Sequence, residues 1–181
     1  MSSSTKDYSI KRNKIFEWSK YKYLIIKYIF EEVIKGKEYK LFLNNKEIIY
    51  DYYSLYHILT RHYGHIMKPY SVTKNHFTDM EFDPELLHLK IQEIFKKIDA
   101  SGHYYYDKVE EVNFKYKNQI YKIFCKQELR SQTKGNKSTG QFLRLNSFFP
   151  VGNKRMLHRL TSEFEEIKID KDLSIFVTKV V

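Results

Sequence analysis

Cysteine is almost missing from this chain: Cys125 is the only one among 181 residues. That excludes an intramolecular disulfide framework and a cysteine-based zinc site. Preceded by Ile123 and Phe124 in a strand-like run, it reads as a small buried hydrophobe, with a reactive thiolate as the sharper alternative. Long hydrophobic runs are missing as well. A membrane-spanning helix needs roughly 18–20 apolar residues, and the best stretch, 21–34, is broken by Lys22, Lys27, Glu31 and Glu32. The start, Met1-Ser2-Ser3-Ser4-Thr5-Lys6-Asp7, has no apolar segment of the secretory type. No Walker loop, GxGxxG, GxSxG, EF-hand or paired-cysteine motif is present. Nucleotide cofactors and serine hydrolysis therefore have no support, and no cofactor is expected. These absences fit a cytoplasmic protein with no membrane segment.

What is present is basic and aromatic. Lysine and arginine number 32 against 22 acidic residues, a formal charge of +10, and there are 16 Tyr and 13 Phe. A field of that sign raises encounter rates with nucleic acid and gives salt-sensitive, sequence-independent affinity. Lysine and tyrosine also have AT-rich codons, so genome composition is a competing source of the charge.

The order of elements points to one α+β domain over 14–181, with a frayed polar segment at 1–13. In 14–35 the apolar residues Ile15, Trp18, Tyr21, Leu24, Ile25, Tyr28, Ile29 and Val33 recur at three and four, predicting a helix with one buried stripe. Asn44-Asn45 between 39–43 and 46–50 predicts a hairpin, because asparagine tolerates the positive φ of a tight turn. A second helix is expected over 53–63, closing at Gly64. Asp83-Pro84-Glu85 starts a third, which Ser101-Gly102 stops. The runs 109–116 and 119–126 around Lys117-Asn118 predict a second hairpin, followed by strands at 142–149 and 173–180. Helices packed on a small antiparallel sheet is the expected architecture.

The segment 56–65 carries the densest chemistry. On a helix His57, Arg61 and His65 stand four apart on one face, provided the helix survives Gly64, and His62 lies on the neighbouring apolar side. RNA transesterification needs a base for the 2′-hydroxyl, an acid for the leaving 5′-oxygen and a cation for the phosphorane. Histidine can take either proton role, and arginine can fork onto two phosphate oxygens. The competing readings are a hydrogen-bonded structural histidine at His62, and zinc held by His57 and His65. The zinc reading lacks an HExxH-type glutamate. His76, His88, His103 and His158 are isolated and read as surface or structural residues.

The strand at 142–149 is the second candidate. In simple alternation Phe142, Arg144, Asn146 and Phe148 face one way, and Ser147 joins Arg144 only if a bulge intervenes. Arg144 is either an ion-pair residue or a phosphate ligand. The loop 130–141, with Arg130, Lys134 and Lys137, and the basic cluster of Lys154, Arg155, His158 and Arg159 are either solvated surface or contacts to a phosphate backbone.

The succession His57-Ile58-Leu59-Thr60-Arg61-His62, the Phe77 region, the Asp83-Pro84 helix, and Arg144-Leu145-Asn146-Ser147-Phe148-Phe149-Pro150 resembles the barnase/EndoU/colicin D/RelE-like nucleases. It lies nearest their phage- and mobile-element-associated branches. The resemblance spans 39–151; the first helix and the segment after Val151 have no counterpart in it. It implies a metal-independent endoribonuclease acting as a toxin or effector. His57 or His62 would be the acid/base group, Arg61 and Arg144 the phosphate ligands, and Ser147 a hydroxyl at the site. His65, Arg130, Lys134, Lys137, Lys154 and Arg155 are the expected RNA contacts. An acidic immunity or inhibitor protein is the partner such a toxin implies. The alternative is a non-catalytic basic module that binds nucleic acid or an acidic host protein.

Overall fold

A computed structural model of the chain describes residues 3–63, 77, 82–103, 110–129 and 140–178, with side chains from residue 11 onward. Of the expected contacts, His65, Arg130, Lys134 and Lys137 lie outside the described residues.

The elements, in chain order, are α1 (Ser3–Tyr28), which runs into a π-helical turn (Ile29–Val33), then β1 (Tyr39–Leu43), β2 (Lys46–Tyr50) and α2 (Tyr52–His62). There follow α3 (Leu87–Ser101), β3 (Glu111–Tyr116), β4 (Gln119–Leu129) and β5 (Gln141–Pro150), and finally α4 (Lys154–Glu163), β6 (Phe164–Lys168) and β7 (Leu173–Thr178). The seven strands form one sheet in the order β1-β2-β5-β4-β3-β7-β6, so the class is α+β. The sheet is mixed, because β2 and β5 run parallel. Parallel neighbours need a long crossover, and the chain from α2 to β4 supplies it.

Turn chemistry sets the two hairpins. Asn44 and Asn45 both take positive φ (49° and 59°), and Lys117 does so at the β3–β4 turn (φ 52°). α3 ends at Gly102, which is left-handed (φ 67°). Asp83 accepts a hydrogen bond from Glu85 N (2.9 Å), but its Pro84 turn precedes the helix proper.

The main core lies where α2 packs on β5 and α3 packs on β1. Its centre is aromatic: Phe77, Phe82, Phe114, Tyr121 and Phe148 interlock, with Phe82 and Phe148 edge-on at 4.9 Å. Tyr63 closes the α2 end of this cluster, stacking on Phe77 at 4.5 Å and donating its hydroxyl to Phe82 O at 2.7 Å. A second, smaller core forms under α4 from Val151, Leu160 and Phe176.

α1 departs from expectation twice. Its helical backbone begins at Ser3, ahead of the expected helix start at Lys14. Residues 3–28 contain no glycine or proline, the two residues that interrupt a helix most strongly. Nor is its apolar stripe buried along its length. Only the C-terminal end, through Ile26 and Ile29 with Ile25, Phe30 and Val33, reaches the core. Ile15, Tyr21, Leu24 and Tyr28 are each more than half exposed. The described residues contain no helix long and apolar enough to cross a membrane.

Candidate functional site around helix α2

Asp51, the residue between β2 and α2, organises the site. Its Oδ1 accepts from Ser54 N (2.9 Å) and from Ser54 Oγ (3.2 Å), capping the helix. Its Oδ2 accepts from Arg144 Nε of β5 at 2.9 Å. One carboxylate thus starts the helix and clamps the strand to it. Sequence reasoning missed Asp51, although an aspartate three residues before a serine at a strand end is a recognisable N-cap signal. The Arg144 guanidinium also lies 5.0 Å from the ring centres of Tyr53 and Phe142, with Glu128 4.0 Å away. Arg144 is therefore an ion-pair residue flanked by aromatics.

β5 contains the bulge that the serine required. Phe124 pairs with Ser147 and Cys125 with Leu145, which leaves Asn146 as the extra residue. Antiparallel partners share a face, so simple alternation fails at this point. Leu145 and Phe148, opposite Cys125 and Ile123, turn into the core. Arg144, Ser147 and Phe149, opposite Lys126, Phe124 and Lys122, take the other face.

The bulge brings Ser147 to α2. Ser147 Oγ is 2.8 Å from His62 Nε2 in a buried contact, and the His62 ring stacks on Phe149 at 4.8 Å. Both residues are only 7% exposed. A hydroxyl and an imidazole at this distance form a buried hydrogen-bonded pair with little exposure to solvent. In this structure the pair fastens α2 to β5.

The opposite side of α2 is open. Tyr53, His57 and Arg61, spaced four apart, form one row, and Tyr52 and Tyr56 form the row beside it. His57 is half-buried, its ring centre 6.0 Å from that of Tyr53, and Arg61 is exposed. Partial burial lowers the His57 pKa first, and the Arg61 charge lowers it further. Both effects keep its imidazole neutral at pH 7. On the Tyr52 side, Phe30 of the π-turn packs edge-on at 5.3 Å. Burial raises the Tyr52 phenol, and its neighbours Tyr23, Tyr56 and Glu31 add to the shift.

The expected basic cluster is elsewhere. Lys154 and Arg155 are exposed in the first turn of α4, whose cap Asn153 accepts from Arg155 N at 2.9 Å, and α4 packs against β6. Burial pushes the Cys125 thiol up to about 12, so it stays protonated and inert. Among the described residues no three His, Cys, Asp or Glu side chains converge as a metal site. Set against protein-family models, curated proteins and solved structures, the chain matches none.

Proposed function

We propose that this protein is a cytoplasmic RNA-binding protein that cleaves RNA without a metal ion, using the outer face of α2. The observation that carries the reading is the row of Tyr53, His57 and Arg61 on one open helix face, with the imidazole held neutral beside a guanidinium. A neutral imidazole is the base that 2′-hydroxyl attack requires. In this reading the 2′-oxygen bonds to phosphorus as His57 removes its proton. The phosphorus bond to the 5′-oxygen breaks, and the proton returns through water to that oxygen, leaving a 2′,3′-cyclic phosphate and a 5′-hydroxyl. Arg61 holds the phosphate oxygens. Asp51, Arg144, His62 and Ser147 position the helix. The resemblance to the barnase/EndoU/colicin D/RelE-like nucleases supports this assignment, and an acidic inhibitor is the partner that a toxin of this kind would require.

The test is purified protein incubated with total RNA in EDTA, beside His57→Ala and Arg61→Ala variants. Cleavage that persists in EDTA and is lost in His57→Ala is the expected result. Salt-sensitive binding without cleavage would instead favour a non-catalytic RNA-binding module. The observation favouring that second reading is that Asp51 holds Arg144 at 2.9 Å and His62 and Ser147 hold one another at 2.8 Å.

A further inference from the structure

α1 carries large apolar side chains that the rest of the described fold leaves uncovered. Ile15, Phe16, Tyr21, Tyr23, Leu24 and Tyr28 are each more than half exposed, Phe16 by 69%. Large apolar side chains exposed at this density mark a contact site. The charges beside it are of one sign: Lys11, Arg12, Lys14, Lys20, Lys22 and Lys27, with Glu17 the one acid in 11–28. A second copy of the same helix would meet like charge, so self-association is disfavoured and an anionic partner is favoured. The apolar residues are not gathered on one side either. Phe16 and Tyr23 lie across the helix from Trp18 and Ile25. A helix resting on a bilayer needs one apolar face, so a flat anionic membrane is a poor match. Five of the apolar side chains on 15–28, namely Phe16, Trp18, Tyr21, Tyr23 and Tyr28, are aromatic. Aromatic side chains among lysines are how proteins hold unpaired nucleic acid, by stacking bases and tracking phosphates.

Position on the fold strengthens this. α1 packs against α2, and Tyr23 of α1 is close enough to Tyr52 of α2 to raise its phenol, as Tyr56 does from the next turn. The side of α1 that carries Phe16 and Tyr23 therefore adjoins the Tyr52 and Tyr56 row of α2, which lies beside that of Tyr53, His57 and Arg61.

We infer that the exposed aromatic and basic side chains of α1 continue the α2 face into a single track for unpaired RNA. Phe16 and Tyr23, seven residues apart on one side of the helix, stack bases, and Lys20 and Lys27 beside them follow the backbone, Lys27 exchanging its contact with Glu31 at 3.8 Å for phosphate. The inference rests on the RNA reading of α2 and specifies the form of the substrate, a single strand bound with little sequence preference.

The experiment measures anisotropy of a labelled 2′-O-methyl-uridine 15-mer, which lacks the attacking hydroxyl, and of an RNA duplex of equal length. Wild type should prefer the single strand. Phe16→Ala with Tyr23→Ala, on solvent-exposed sites with thermal unfolding checked, should weaken it about tenfold. Lys171→Ala, on the β6–β7 turn at the far edge of the sheet, should change it less than about twofold. Unchanged affinity in the α1 variant, or equal affinity for duplex and single strand, overturns the track. So does binding to phosphatidylserine vesicles, or a dimer by light scattering, that the α1 variant abolishes while oligomer affinity stays the same. The two proposals fail separately. Oligomer binding lost at α1 without any RNA cleavage keeps the track and sinks the nuclease. Cleavage in EDTA with normal oligomer binding by the α1 variant does the reverse.

Discussion

His57 and His62 occupy the same helix with Arg61 between them, yet their surroundings are opposite. His57 is half-buried on the open face, beside Tyr53 and Arg61. His62 is buried, bonded to Ser147 and stacked on Phe149. Five residues on a helix is about 140° of rotation, enough to take one imidazole to solvent and the other to the seam with β5. The lesson is that a cluster of chemically suitable residues in sequence divides, once folded, into a part on the exposed side of the helix and a part that holds the helix in place.

The sharpest way to break the comparison is to remove each histidine in turn. His57→Ala should lower RNA cleavage by at least about 100-fold and shift unfolding by less than about 0.5 kcal/mol. His62→Ala should cost about 2–3 kcal/mol, because it leaves a buried hydroxyl without its partner and removes a stacked ring. Urea denaturation of both variants checks this. Replacing both members, His62→Phe with Ser147→Ala, should restore part of the loss, since it leaves no unpaired serine hydroxyl at this seam. If His57→Ala unfolds the protein and His62→Ala only silences it, the two histidines have exchanged roles.

The hairpin turns, the end of α3 and the α+β class were legible in the sequence because each follows from local chemistry: Asn44-Asn45, Lys117-Asn118 and Gly102 all sit where a positive φ or a tight turn is needed. The parallel β2–β5 pairing was not, since it joins residues about a hundred positions apart, Ile48 to Leu143 and Ile49 to Arg144. α4 was missed because its residues stood out only as a basic cluster, although Asn153 is a good cap. At the site, the helix and the strand were both recognisable. The His62–Ser147 contact depends on a bulge that no local signal announces, and Asp51 passed unnoticed because its two roles lie on two different elements.

A smaller effect should come from Arg144→Ala, which strips the partner from a mostly buried Asp51 carboxylate and should cost about 1–2 kcal/mol. Arg144→Lys should recover only part of it, because an ammonium cannot lie flat between Tyr53 and Phe142. Chemical denaturation of the two variants side by side tests this.

His88 supplies a pH-dependent contrast. It is 5% exposed, its ring centre lies 4.8 Å from that of Tyr39, and burial lowers its pKa. The unfolded chain therefore takes up a proton below the ordinary value of 6.5 that the folded chain refuses. Stability is full above that pH and falls as the pH drops beneath it, by at most about 1.4 kcal/mol per unit, until the folded value is passed. His88→Phe should flatten this acid limb in urea titrations at pH 5 to 8. The smallest signal should be Cys125, whose thiol should resist a water-soluble disulfide reagent in the native state and react fully in denaturant.

The bulge at Asn146 also changes the parity of β5. Residues before it place odd numbers toward the core, as Leu143 and Leu145, and residues after it place even ones there, as Phe148 opposite Ile123. An in-frame deletion of Asn146 would leave every remaining side chain of β5 on the face it now occupies, because the extra residue is the one removed. A deletion anywhere between Leu143 and Leu145 would instead turn part of the strand inside out. The strand thus has one position where its length can change without scrambling the core, and that position sets how far along α2 the serine meets its histidine.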